Sequence, residues 1–201
     1  MDMLTLGQTR VQEELTSHIN NPEHATIPCV IVAQKPDRLN QLGPGVTTCL
    51  LDFSLRTARQ SKLANVSILY LTTGRHRAGK IKLCLMTMLD TGLYTILQSS
   101  AHKLVVSSAF HPEISWSFGP IGPRRTVEPF DYIIYDGYAS DAVSTMKVIL
   151  DLQVYWHARV PVIVAARVRG TLEELQDTCT TIEKECGAAL NIIKMPFREQ
   201  V

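Results

Sequence analysis

Apolar and polar positions along this chain change their period repeatedly, and the changes mark out its elements. Val11, Leu15 and Ile19 recur at i, i+4 and i+8 in VQEELTSHI, which predicts a short amphipathic helix over residues 8–20. PCVIVA (28–33) is a continuous apolar run ended by the turn-rich QKPDRLNQLGPG, and it predicts a buried strand. The helical stretch TTCLLDFSLRTARQ follows. VSILYLTT (66–73) predicts a second strand, IKLCLMTMLDTGLYTILQ a long helix, and KLVVSSAF (103–110) a third strand. HPEISWSFGPIGPRRTVEP, rich in Pro and Gly, predicts a loop. YIIYD then reads as a fourth strand, DAVSTMKVILDLQVYW as a helix, VPVIVAARV as a fifth strand, GTLEELQDTCTTIEKECG as a helix and ALNIIKM as a sixth strand.

Continuous Val, Ile and Leu strands alternating with helices describe an α/β fold: a doubly wound, mostly parallel sheet with helices on both faces. In such sheets ligands gather outside the carboxyl ends of the strands. The residues to search are therefore 34–45, 72–80, 111 onward, 136–141 and 167–170. Thr171 and Glu174 have the spacing of a capping box, and Gly187 supplies a helix stop. Asp141 is placed either to cap the helix that begins near Ala142 or to take part in chemistry. No repeat or linker interrupts the pattern, so one domain over residues 1–201 is expected.

Composition narrows the function. The 201 residues are 45% hydrophobic and 19% charged, enough to bury one substantial core. No apolar run approaches the roughly 18 residues that a membrane span needs. The start, MDMLTLGQTR, carries an acid where a signal peptide would be basic and apolar. A soluble, cytoplasmic protein without membrane contact is expected. Five cysteines lack C-x-x-C spacing and six histidines are scattered, which suggests apolar packing rather than a metal site. A net charge of +1 gives no global attraction to a polyanion, so any nucleic-acid site must be local. One candidate is GRHRAGKIK, with Arg75, Arg77, Lys80 and Lys82, whose plainer reading is a solvated loop leading into a helix. Another is ISWSFGPIGPRR, where Trp116 and Phe118 beside Arg124 and Arg125 would stack on single-stranded RNA or simply fold a long loop onto the core.

FDYIIYDGYASD brings an acid, Asp136, to the end of a buried strand. It is either a working carboxylate or a cap for the next turn. This segment, VPVIVAARV with its KMPFR ending, and VIVAQKPDRLNQLGPGVTTCLL together resemble the FtsJ/RrmJ-type RNA 2′-O-methyltransferases, including the cap-methylating domains of flaviviruses and coronaviruses. The resemblance implies S-adenosylmethionine as cofactor, with contacts at Gln34, Gly43, Pro44, Gly45 and Thr73. It also implies a Lys-Asp-Lys-Glu tetrad in which Asp136 falls on the Asp and Arg10 on the first Lys. RNA contacts are expected at Arg75, Arg77, Lys80, Trp116, Arg124 and Arg125.

The departures from that pattern are chemical. Attack by a ribose hydroxyl needs a base, usually a lysine. Ala165 stands where the central lysine belongs, and Arg167, two residues on and on the same strand face, stays protonated and makes a poor base. QKPDRLNQLG lacks the glycines a cofactor loop uses for close backbone approach. The expectation is a methyltransferase-like domain with an impaired site, leaning away from catalysis, that binds RNA or a protein partner in a larger assembly. A viral origin, and hence the host cytoplasm, goes with it.

Two rival classes remain open. IIYDGYASDAVS resembles the second motif of viral superfamily 2 RNA helicases, and GPGVTT loosely resembles a phosphate-binding loop, giving a degenerate RecA-like NTPase. That loop needs G-x-x-x-x-G-K-[ST]; no lysine follows Gly45, and Gly137 stands where the catalytic Glu would be. The third class is a structural scaffold.

Overall fold

The computed structural model of the protein describes residues 6–21, 23–24, 27–35, 45–63, 65–90, 92–109, 111–120, 129–137 and 139–195. In chain order the elements are α1 (Leu6–Asn20), β1 (Cys29–Lys35), α2 (Val46–Gln60), β2 (Asn65–Thr72), α3 (Arg75–Leu89), β3 (Thr95–Ser99), β4 (Lys103–Ser108), β5 (His111–Pro120), β6 (Tyr132–Asp136), α4 (Ala142–Asp151), α5 (Gln153–His157), β7 (Val162–Arg169), α6 (Leu172–Glu185) and β8 (Asn191–Met195). The described strands form one sheet in the order β3-β4-β5-β2-β6-β7-β1-β8. Neighbours from β5 to β8 run parallel, while β3 and β4 add an antiparallel margin.

Period-2 alternation splits the interior into two layers. Cys29, Ile31 and Ala33 of β1, Tyr132 and Ile134 of β6, and Ile163 and Ala165 of β7 pack with Leu15, Phe53 and Leu85 from α1, α2 and α3. Val30, Val32, Ile133, Tyr135, Val164 and Ala166 point the other way, onto Ile149, Tyr155 and Ile182 from α4, α5 and α6. Both faces of the central strands are therefore covered, which explains their continuous apolar sequences. Each fully buried aliphatic side chain contributes about 1.5–3 kcal/mol to this packing. Asp136 and Arg167 continue the parity of Ile134 and Ala165, so both emerge on the α1–α3 face at the carboxyl end of the sheet. Cys29, Cys49 and Cys179 are core residues. Burial pushes the Cys49 thiol up to about 12, with the nearby Asp52 adding to the effect.

The expected helices and strands differ from the observed ones in three places. The helix expected over 81–98 starts earlier, at Arg75, and stops at Leu89. Gly92, with φ +71°, is left-handed, a conformation that a right-handed helix cannot pass through. TILQS beyond it is strand β3. The basic run GRHRAGKIK thus lies mostly on α3, not in a loop. The expected loop beginning at residue 111 opens as the ten-residue strand β5. Its Ile114, Trp116 and Phe118 alternate inward while Glu113, Ser115 and Ser117 stay half-buried. The helix expected over 141–156 is divided at Leu152 into α4 and α5. Both expected N-terminal caps form: Asp141 accepts from the Ser144 amide at 2.7 Å, and Thr171 and Glu174 make a reciprocal capping box.

β1 lies between β7 and β8, and β2 is separated from it by β6 and β7. In the dinucleotide-binding order 3-2-1-4-5-6, strands 1 and 2 are neighbours; here they are not. Among the described residues, no helix is long and apolar enough to cross a membrane.

Candidate functional site

The carboxyl ends of β6 and β7 and the first turn of α2 converge on Asp136. Its residue exposure is 0%. A buried carboxylate is costly unless paired and hydrogen-bonded. Every neighbour supplies a partner. Oδ2 accepts from the Thr47 hydroxyl at 2.7 Å and from the Tyr70 hydroxyl at 3.1 Å. Oδ1 accepts from Nη2 of Arg77 at 3.1 Å and makes a short contact with Nη2 of Arg167. The two guanidinium groups are largely buried as well, with side chains 25% and 14% exposed.

Those arginines also tie the carboxylate to its backbone. Arg77 Nε donates to the carbonyl of Asp136 at 3.0 Å, and Arg167 Nη1 donates to the carbonyl of Gly137 at 2.9 Å. The Arg167 amide donates to the carbonyl of Ala139 at 2.7 Å, folding the turn after β6 against β7. Arg167 Nη2 lies 3.2 Å from the Thr47 hydroxyl, so one guanidinium edge bridges the hydroxyl and the acid.

Burial alone would raise the Asp136 carboxyl. The charges of Arg167 and Arg77, with hydrogen bonds from Thr47 and Arg167, outweigh it and hold the group below the usual carboxylate range. Tyr70 moves in the opposite sense: burial, and then the adjoining carboxylate, drives its hydroxyl far above its ordinary range, so it remains a neutral donor. The cluster is a knot in which one buried carboxylate is shared by two guanidinium groups and two hydroxyls. An acid this heavily engaged is a weak base for proton abstraction.

Several residues singled out in the sequence lie elsewhere. Arg10 is on α1, its side chain 79% exposed and paired with Glu14 at 2.8 Å; with Lys194 it lines a cavity of about 510 Å³ against α6. Gln34 donates to the carbonyl of Gly170 at 2.9 Å. Gly45 is the left-handed N-cap of α2 with φ +71°, and its carbonyl accepts from Gln8 at 3.3 Å. A Cβ on Gly45 would lie 2.2 Å from the Gln8 amide nitrogen. Thr73, Arg75 and Lys80 are exposed at the start of α3 or just before it. Arg77, expected to face RNA, turns inward to Asp136 instead. Trp116 is fully buried, its indole nitrogen 3.4 Å from the Ser54 hydroxyl, and offers no face to a base. Gly43, Pro44, Arg124 and Arg125 lie outside the described residues.

Thr47 and Tyr70 were not anticipated. Thr47 had a local signal: it follows Gly45 by two, the spacing of the hydroxyl in G-K-[ST]. Tyr70 had only its parity within β2.

No protein-family model and no curated protein matches the sequence. Solved structures with a similar fold include the large terminase of a thermophilic bacteriophage in complex with ATP-gamma-S, with TM-score 0.58 and 11% identity over 96% of this chain and 44% of that one. Another structure of that terminase gives TM-score 0.59 and 11% identity over 95% and 44% of the two chains. The same terminase in complex with ADP gives 0.58 and 8% over 96% and 45%. The chain therefore spans less than half the length of these terminase chains. At such identities the likeness establishes fold alone. With the strand order, it corrects the methyltransferase resemblance and the S-adenosylmethionine site inferred from it: the α/β fold is similar to that of large terminase chains.

Proposed function

We propose that this chain is a degenerate domain of the P-loop NTPase kind that does not hydrolyse nucleotide and serves as a non-catalytic unit of a larger, nucleic-acid-handling assembly. The observation that carries the reading is the 2.7 Å hydrogen bond between Thr47, in the first turn after the β1 loop, and Asp136, at the end of β6. P-loop NTPases bring together a loop hydroxyl and a strand-end acid in this way to hold magnesium on nucleotide phosphates. Terminase chains of similar fold are in complex with ATP-gamma-S and ADP, which supports the comparison.

At two positions beside that pair the sequence departs from what hydrolysis uses. Val46 occupies the place of the lysine that neutralises phosphate charge. Gly137 follows the acid, and a Cβ there would lie 2.2 Å from the ring and hydroxyl of Tyr135, which is itself buried. A glutamate that orients an attacking water would fit at that position only if the Tyr135 ring shifted. Exposed Arg75 and Lys80, near the same end of the sheet, are suited to phosphate backbones of RNA or to an acidic protein surface. The test is phosphate release from magnesium–ATP by the purified full chain. No release above an Asp136→Asn control is expected; turnover that disappears in that control would overturn the reading.

A further inference from the structure

We infer that the guanidinium of Arg167 stands where a P-loop NTPase would carry its divalent cation, so that this site is closed to magnesium and its positive charge is built into the chain. The inference rests on the reading of Thr47 and Asp136 as the remnant of a metal-holding pair, and it adds what has become of the metal.

Three observations support it. Arg167 Nη2 contacts both oxygen-bearing groups of the pair, lying 3.2 Å from the Thr47 hydroxyl and in short contact with Asp136 Oδ1. That is the bridging place a hard cation would take between a hydroxyl and a carboxylate. The two carboxylate oxygens are already engaged by Thr47, Tyr70, Arg77 and Arg167. Magnesium demands near-octahedral oxygen ligands at about 2.0–2.1 Å and keeps several waters. Two guanidinium groups on the same carboxylate oppose such a cation by charge as well as by volume. The backbone also fixes Arg167 in place: its amide donates to the Ala139 carbonyl and its Nη1 to the Gly137 carbonyl, so the side chain is held from both ends. The residues present do not fit a divalent ion while Arg167 is there.

Arginine differs from a metal in a way that matters. It cannot dissociate, it stays protonated across the biological range, and its planar fork makes directed hydrogen bonds. The charge at this site is therefore independent of metal supply.

The experiment measures Mn²⁺ binding to the full chain by the decrease of the free-ion electron paramagnetic resonance signal. The wild-type chain, Arg167→Ala, Arg167→Gln and the double variant Arg167→Ala/Thr47→Val are compared, with circular dichroism confirming the fold of each. The wild-type chain is expected to take up no Mn²⁺ that depends on Asp136. The folded Arg167 variants are expected to gain one site per chain, and the double variant to lose it. Stoichiometric Mn²⁺ binding by the wild type that is abolished in Asp136→Asn would overturn the inference, and this arm stands even if no Arg167 variant folds. A folded Arg167→Ala or Arg167→Gln chain that gains no site would overturn it too. If the wild type stays inert toward magnesium–ATP in that case, the surrogate role alone fails; wild-type hydrolysis would instead remove the reading beneath it.

Discussion

Thr47 and Asp136, 89 positions apart in the chain, meet through a 2.7 Å hydrogen bond at the carboxyl edge of the sheet. The contact joins the start of α2 to the end of β6, two elements that belong to different layers of the sequence pattern. It exists because β7 separates β1 from β6, which brings the helix after β1 over the end of β6. Replacing Thr47 by valine keeps the shape and removes one hydroxyl. Since Asp136 keeps Tyr70 and both arginines, a decrease of about 1 kcal/mol is expected, measurable as a lower urea midpoint with an unchanged slope.

Removing the acid should cost far more. Asp136→Ala removes the carboxylate that Arg77 and Arg167 share in a site that is mostly buried. Breaking a buried pair on one side costs about 3–5 kcal/mol. A double-mutant cycle between Asp136→Ala and Arg77→Ala, read by urea unfolding, should show strong coupling. Additive effects would mean that the ion pair carries no net interaction.

The same carboxylate sets an acid limit. Burial favours its protonated form, but Arg167 and Arg77 prevail and hold it below its usual value of 3.8. A group depressed in the folded state contributes stability that is complete above its unfolded value and fades as pH falls through the folded one. Wild-type stability should therefore drop more steeply than that of Asp136→Asn below the ordinary carboxylate range. Urea titrations at a series of acid pH values measure the two slopes; parallel curves would contradict the assignment.

Much of the sheet is readable in the sequence because buried parallel strands carry continuous runs such as CVIVA and YIIY without polar alternation. β5 is not, since Pro112 and Gly119 sit in it and its inward Ile114, Trp116 and Phe118 are diluted by polar neighbours. β3 merges into a helical pattern because Leu93, Ile96 and Leu97 keep a helical spacing across Gly92. Asp136 is visible as a strand-end acid, and Arg167 as a residue on the same face as Ala165. Their meeting with Thr47, Tyr70 and Arg77 depends on strand order, which local periodicity does not encode. For the same reason the alternation of strands and helices suits a methyltransferase as well as a terminase-like fold, and only the neighbours of β1 separate the two.

Arg75 and Arg77 are two residues apart on α3 yet should behave differently. Arg75 and Lys80 are exposed, whereas Arg77 is bonded to Asp136. Arg75→Ala/Lys80→Ala is expected to weaken binding of a single-stranded RNA oligonucleotide, and to shallow its salt dependence by about 0.7 unit of log–log slope for each phosphate no longer neutralised. Thermal stability should stay unchanged. Arg77→Ala should do the reverse, lowering the melting temperature while RNA affinity of the folded fraction holds. Fluorescence anisotropy at several salt concentrations, beside a melting curve, separates the two; equal effects from both changes would show that Arg77 is not internal to the site.

Gly137 gives the sharpest steric prediction. Its carbonyl receives Arg167 at 2.9 Å, so the backbone there is fixed, and an added Cβ would fall 2.2 Å from the Tyr135 ring. Tyr135 is buried in the layer that α4 and α6 cover, so a shift of its ring has to be absorbed by close-packed neighbours. Overpacking of this kind costs about 1–3 kcal/mol. Gly137→Ala should therefore be destabilised by that amount, and Gly137→Ala/Tyr135→Leu should recover part of it by vacating the ring. Gly137→Glu, which on the proposed reading supplies the acid that position lacks, should fold less well than Gly137→Ala and still fail to hydrolyse magnesium–ATP, because Arg167 continues to bridge Thr47 and Asp136. Urea unfolding of the three variants tests the order of stabilities. A Gly137→Ala chain as stable as wild type would mean that Tyr135 yields freely, and that the missing glutamate is not a matter of space.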